Sequence, residues 1–335
     1  MTAKHPHKGP FIRDVTPGER IIGYYVARRK QLESFRDRSK GVFLTLILSD
    51  RSGELLARVW ENAPDIEAQF EEGEVVKVQG DVEEYLGRTQ LIVQKLRPAR
   101  PDEYDLADFL PATERDVPAM LAEVDAAIAR LTNPHLVALV THFHANAEFR
   151  GRLAQAPATR RVHHAYLGGA LEHLTDMLKL CETVLSLYPE LDGDLLRAGA
   201  LLHGVGKVRE YEWDGEIEYT DEGRLIGHVV LSAEMVAAAI AALPDFPAEL
   251  GLRVRHMLVS QHGRYEWGSP RRPQTLEAIA LHHLEELSAQ LNRFSGLLKT
   301  RRAPGQPWTE YNRLLGRQLY AGPDEESADE AERAE

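Results

Sequence analysis

Histidines crowd the chain between His163 and His283, and most stand beside glycines or on faces with helical spacing. His173, His203, His228, His256 and His262, with Glu285 on a last long helix, offer imidazoles and a carboxylate from five helices that can converge on one divalent metal site. Mixed imidazole and carboxylate donors suit manganese, iron, nickel or zinc better than magnesium or calcium. An ion held this way makes a water nucleophilic and absorbs charge developing on a phosphate, which is the chemistry of phosphoester hydrolysis. Lys207 is placed to hold the phosphate or the developing oxyanion. Taken singly, each histidine is more often a packing residue than a ligand, so the case rests on their order.

That order centres on Leu201-Leu202-His203-Gly204-Val205-Gly206-Lys207. The stretch resembles the LLHD-x-GK segment of the HD-domain phosphohydrolases, with Gly204 where the metal-binding Asp belongs. The resemblance extends to His163-His164-Ala165-Tyr166-Leu167-Gly168-Gly169 through His173, Gly227-His228, Ser260-Gln261-His262-Gly263 and the Trp267-Gly268-Ser269-Pro270 segment. Together with the N-terminal domain, these are similar to the bacterial YhaM-type 3′→5′ exoribonucleases over about residues 12 to 320. The resemblance implies manganese-dependent removal of nucleotides from the 3′ end of single-stranded RNA, with DNA as a second substrate. It also implies the order His, His-Asp, His, His, Asp for the ligands. Gln261 stands where a second His is usual, Glu285 where the last Asp would be, and Ser288 in place of a further Asp. Glu285 keeps a carboxylate, whereas Gly204 offers no ligand, so metal affinity and nucleophile activation should both fall. The glycine is read either as natural divergence or as an inactivating substitution.

The elements that must position these residues divide in two. From about residue 18 to 98 the apolar pattern alternates or runs briefly between turn signals, with expected strands at 21–31, 42–48, 54–60, 75–82 and 90–96 and a short helix at 64–70. Five strands with a helix between the third and fourth give the order of an OB-fold β-barrel. Such barrels stack bases on aromatics and draw phosphates to cations. The candidates are Tyr24, Arg28, Lys30, Phe35, Arg58, Trp60, Tyr85 and Arg88, with the basic run 36–40 beside them. Arg264, Trp267 and Arg271 are candidates for guiding the strand at the metal site. Pro-, Asp- and Ala-rich sequence after residue 98 marks the boundary. The fold class is therefore two-domain α+β: an OB-fold over 12–100, connecting helices over 101–155, and an all-α HD-type domain over 156–322. A helical pattern over 136–149 carries His142 and His144, read as surface or packing residues.

The net charge is −12, of which the segment from Asp324 to Glu335 supplies −6 through seven acids and one base. Its composition, over 323–335, is that of a disordered solvated tail, and the remainder is closer to neutral. The N-terminus has no apolar core of an export signal, and no stretch approaches the roughly 18 apolar residues that span a bilayer. A single cysteine, Cys181, fits a reducing compartment, so a soluble cytoplasmic protein is expected. The edges of the barrel and the size of the helical domain admit a homo-oligomer. Two other readings follow from Gly204 and the helical domain: a catalytically silent single-strand binder, and a hydrolase of small nucleotides for which the barrel is superfluous.

Overall fold

The structure is a computed structural model describing residues 8–35, 37, 41–300 and 306–322. Arg36, Arg38, Lys40 and the acidic segment 323–335 lie outside the described residues. The chain separates into two compact units, Met1–Glu114 with Tyr211–Tyr219, and Arg115–Glu210 with Thr220–Glu335.

The first unit is the expected barrel. Strands β1 (Arg20–Ser34), β2 (Val42–Asp50) and β3 (Gly53–Val59) are followed by helix α1 (Ala63–Glu67) and strands β4 (Val75–Tyr85) and β5 (Arg88–Pro98). They close in the order β1-β2-β3-β5-β4, with β3 and β5 parallel and the other pairs antiparallel. Two partners share β1: residues 20–26 pair with β4 and 26–34 with β2, and an irregularity between Ala27 and Arg29 bends the strand from one to the other. Alternate residues face inward, so Tyr25, Leu44, Leu46, Leu48, Ala57, Val78 and Leu91 fill the interior. A buried ion pair ties the segment before β1 to the end of β2, with Lys8 Nζ donating to Asp50 Oδ2 at 2.7 Å.

The second unit is helical. Helices α2 (Val117–Ile128), α3 (Pro134–His144) and α4 (Ala147–Gln155) lead to α5 (Gly169–Leu187), α6 (Gly193–Leu202) and the single turn α7 (Lys207–Glu210). A hairpin of β6 (Tyr211–Glu212) and β7 (Glu218–Tyr219) groups with the barrel unit, and α8 (Asp221–Leu225), α9 (His228–Ala242), α10 (Ala248–Ser260) and α11 (Leu276–Thr300) complete the helical unit. The helix expected over 136–149 is two helices, because Asn146 accepts the Phe149 N–H at 3.1 Å and starts α4 anew.

Helix α6 delivers His203. Its start is fixed by Asp192, whose carboxylate accepts the Leu195 N–H at 3.0 Å. Gly199 lets α10 approach closely, since a Cβ there would lie 2.1 Å from the Met257 methyl. Asp192→Ala is expected to lower stability by about 1 kcal/mol through loss of the cap, read as a lower thermal midpoint with unchanged secondary structure.

Candidate metal centre and nucleic-acid interface

Four imidazoles of the helical unit stand in two pairs. His173 lies on α5, His203 follows α6, His228 opens α9 and His262 follows α10. The ring centroids of His173 and His203 are 5.3 Å apart, and those of His228 and His262 are 5.2 Å apart. Each ring is oriented through Nδ1. His203 Nδ1 donates to the Ala200 carbonyl at 2.6 Å, and His262 Nδ1 to the Trp267 carbonyl at 3.1 Å. His228 Nδ1 donates to the Glu210 carboxylate at 3.0 Å, and His173 Nδ1 meets the Ser288 hydroxyl at 2.9 Å. A carbonyl or carboxylate can only accept, so Nδ1 carries the proton in His203, His228 and His262, and Nε2 is left as a lone pair. The Nε2 atoms of His173 and His203 are buried without a hydrogen-bond partner.

The rings are kept neutral. Burial pushes His203 and His262 down to about 3, with the Lys207 ammonium and neighbouring imidazoles acting in the same sense. Burial and then His203 place His173 well below its ordinary value, and burial with Lys207 lowers His228 against the pull of Glu210. Neutral imidazoles with bare Nε2 atoms, each anchored at the other nitrogen, have the chemistry of metal ligands.

Lys207 is only 2% exposed and donates from Nζ to the Ala158 carbonyl at 2.6 Å. Burial lowers its pKa, opposed by Glu210 and Glu285. Burial raises Glu285 to about 7 despite Lys207, with Glu286 adding to the rise. Gly204 adjoins a cavity lined in part by His173, His203, Val205 and Lys207. A Cβ on Gly204 would meet nothing nearer than Lys207 Cδ at 3.5 Å, an ordinary contact. The turn is tied by Ser232, which accepts the Gly206 N–H at 2.8 Å and donates to the His203 carbonyl at 3.1 Å. Gln261 also points here, its amide donating to the His203 carbonyl at 3.3 Å.

His256 is not brought to this cluster. Its Nε2 accepts the Gln274 N–H at 2.9 Å and so holds the approach to α11. His144 packs as expected, with Nε2 donating to the Leu201 carbonyl at 3.1 Å. Glu210 was not among the residues singled out from sequence. It lies one turn after Lys207, on the same face of α7, and takes both the backbone N–H and the Nδ1–H of His228. The spacing Lys-x-x-Glu was the available signal.

On the barrel, several candidates are already engaged. Tyr24 is buried among Val26, Val75 and Phe109. Lys30 Nζ is held by the Glu67 and Phe70 carbonyls and by the Glu67 carboxylate at 3.0 Å. Arg28 donates to Ser49 Oγ at 2.8 Å. Phe35, Phe43 and Trp60 instead form an aromatic group, with centroids 4.9–5.7 Å apart, and Arg58 lies 5.5 Å over both Phe43 and Trp60. Arg58 Nε and the hydroxyl of Thr45, its cross-strand neighbour, are buried without partners. Tyr85 and Arg88 are exposed at the β4–β5 turn. In the helical unit the Arg264 guanidinium lies 4.6 Å over Trp267, whose carbonyl orients His262, and Arg271 is exposed nearby in sequence.

Barrel and helical unit match two families, an OB-fold nucleic acid binding domain over residues 21–99 and an HD domain over 170–290. The class of protein is thus an OB-fold joined to an HD-type phosphohydrolase domain, and the HD domain implies divalent metal binding. The 3′-5′ exoribonuclease YhaM of Shouchella clausii is 36% identical over 312 residues, covering 92% of this chain and 95% of that protein. The YhaM of Bacillus velezensis is 32% identical over 320 residues, covering 93% and 98%. The chain belongs to the YhaM 3′-5′ exoribonuclease family.

Proposed function

We propose that this protein is a metal-dependent 3′→5′ exonuclease of single-stranded RNA, with single-stranded DNA as a further substrate. The observation that carries the reading is the pair of buried, unpartnered Nε2 atoms of His173 and His203, beside His228 and His262 with their Nδ1 protons fixed. These four imidazoles and Glu285 would hold the ion, since neutral rings with a free nitrogen beside a carboxylate have the donor chemistry of a divalent metal site. They are richer in nitrogen than the family order implies, because positions 204 and 288 carry no carboxylate. Manganese is the metal the family resemblance points to, and this nitrogen-rich set equally suits iron, nickel or zinc.

When bound, the ion supplies a water that is nucleophilic at neutral pH and charge to stabilise the attacked phosphate. The chain's own residues do the rest. Glu210 and the two carbonyls keep the imidazoles oriented, and burial, outweighing their pull, keeps the rings neutral, so a cation does not compete with protons for them near pH 7. The Lys207 ammonium offers positive charge for the phosphate. Glu285, held near 7, can be ionised or protonated around neutrality. Phe35, Trp60 and Arg58 provide stacking surfaces and a cation for the strand. The loss of the Asp at 204 weakens the ion's site and slows turnover. Buried, unreactive Cys181 agrees with a reducing, cytoplasmic setting, its thiol pushed by burial to about 12. Among the described residues no helix is long and apolar enough to cross a membrane.

The full chain reconstituted with Mn2+ should release mononucleotides from 5′-labelled single-stranded RNA, shortening it from the 3′ end, and should leave a 3′-blocked strand intact. Strand binding with no product under any of the four metals would instead establish the silent binder. Trp60→Ala should weaken single-strand binding about tenfold, towards the low end of the ~1–3 kcal/mol measured per stacked base, with an unchanged thermal midpoint. Fluorescence anisotropy with a labelled oligonucleotide checks this.

A further inference from the structure

We propose that His163, His164 and His173 form a second metal position, a three-imidazole site for a borderline transition-metal cation such as Zn2+ or Co2+. One ligand atom from each of the three lies within 4.8 Å of the others. His163 Nδ1 and His164 Nδ1 are 3.3 Å apart. With zinc–nitrogen bonds of ~2.0–2.1 Å, a tetrahedral site has nitrogen–nitrogen edges of roughly 3.3–3.4 Å, so these two atoms are already spaced as one edge. His173 has its Nδ1 occupied by Ser288, which leaves its buried, unpartnered Nε2 as the nitrogen it can offer to the group.

The other nitrogen of His164 supports the assignment. Its Nε2 is buried without a hydrogen bond, 3.8 Å from Asp176 Oδ2. If Nδ1 ligates, Nε2 carries the proton and faces a carboxylate, the arrangement common behind metal-bound imidazoles.

The backbone holds the pair in place at a cost. His164 has φ +45°, in the left-handed region that residues with a Cβ seldom enter. It is pinned there by the Asn292 carboxamide oxygen, which accepts the His164 N–H at 2.7 Å, and by its own carbonyl, which accepts the Ala158 N–H at 3.0 Å. Thr159 Oγ accepts the N–H groups of Val162 and His163, both at 3.0 Å. Gly169 completes the fit, since a Cβ there would lie 2.1 Å from the His164 carbonyl oxygen.

His173 Nε2 can serve one ion at a time, so filling this position withdraws His173 from His203. The same loop carries Ala158, whose carbonyl holds Lys207 Nζ. An ion on His163 and His164 would therefore stiffen the support of Lys207 while competing for an imidazole of the first centre.

The proposal does not depend on the exonuclease reading and stands if no hydrolysis is found. Its test is a Co2+ titration of the full chain followed by visible absorption, with Zn2+ as competitor, on wild type, His163→Gln, His164→Asn and His228→Gln. Asn tolerates the left-handed backbone at 164. The expected result is a tetrahedral Co2+ spectrum whose affinity falls tenfold or more in His163→Gln and His164→Asn and persists in His228→Gln. Wild-type titration by His163→Gln overturns the proposal, as does a wild type without a tetrahedral species. Loss of the signal in His228→Gln also overturns it, because the ion then belongs to the first centre. His163 is part-exposed, and an unchanged thermal midpoint for His163→Gln in metal-free buffer keeps a folding defect from passing as support.

Discussion

Gly204→Asp is expected to raise affinity for divalent metal by about 100-fold or more, and 3′-end trimming with it. Residues that merely orient metal ligands are worth ~10–100-fold in affinity, and restoring a ligand itself is worth at least as much. The structure accommodates the change: Gly204 lies outside the left-handed backbone region, and its nearest prospective contacts are the flexible methylenes of Lys207 at 3.5 and 3.6 Å. The new carboxylate would sit beside the Lys207 ammonium, whose charge favours its ionised form. Isothermal titration with Mn2+, alongside single-turnover trimming of labelled RNA, measures both effects. Equal metal affinity in the two proteins would show that position 204 does not face the ion.

Glu210→Gln is expected to lower metal affinity about 10–100-fold with little change in strand binding, because Glu210 acts by orienting His228. The carboxylate accepts both N–H groups of His228; an amide keeps the shape but loses the charge and can present its NH2 instead, freeing the ring to invert its tautomer. The substitution also carries a pH signature. Burial works against ionisation of Glu210, but the His228 contacts and Lys207 outweigh it and hold its pKa at about 2 instead of 4.5. A depressed carboxylate contributes stability that is present above its unfolded value and lost as pH falls through the folded one. Wild type should therefore lose stability in acid from about 4.5 down to about 2, and the variant should show a flatter profile. Denaturant midpoints across that range report it.

Sequence by itself determined the order of the parts. The turn signals Asp50-Arg51-Ser52-Gly53 and Leu86-Gly87 and the period-two runs between them marked the barrel strands to within a few residues, because hairpins are specified by local backbone chemistry. Gly204 likewise announced a missing side chain where the resemblance expects a metal-binding Asp. Tertiary structure alone decided which donors are available. His256 and His203 look alike in the chain, yet one accepts from Gln274 while the other is anchored by Ala200 with Nε2 bare. Tyr24 and Lys30 carry the right groups for a strand but spend them inside the barrel unit, whereas Phe35, Trp60 and Arg58 keep theirs together at one place. The hairpin 211–219, embedded in the helical half of the sequence, grouped with the barrel. The reason is common to all of these: a residue type and its spacing fix what a side chain can donate or accept, but which partner, near or distant in the chain, consumes it is decided only by the fold.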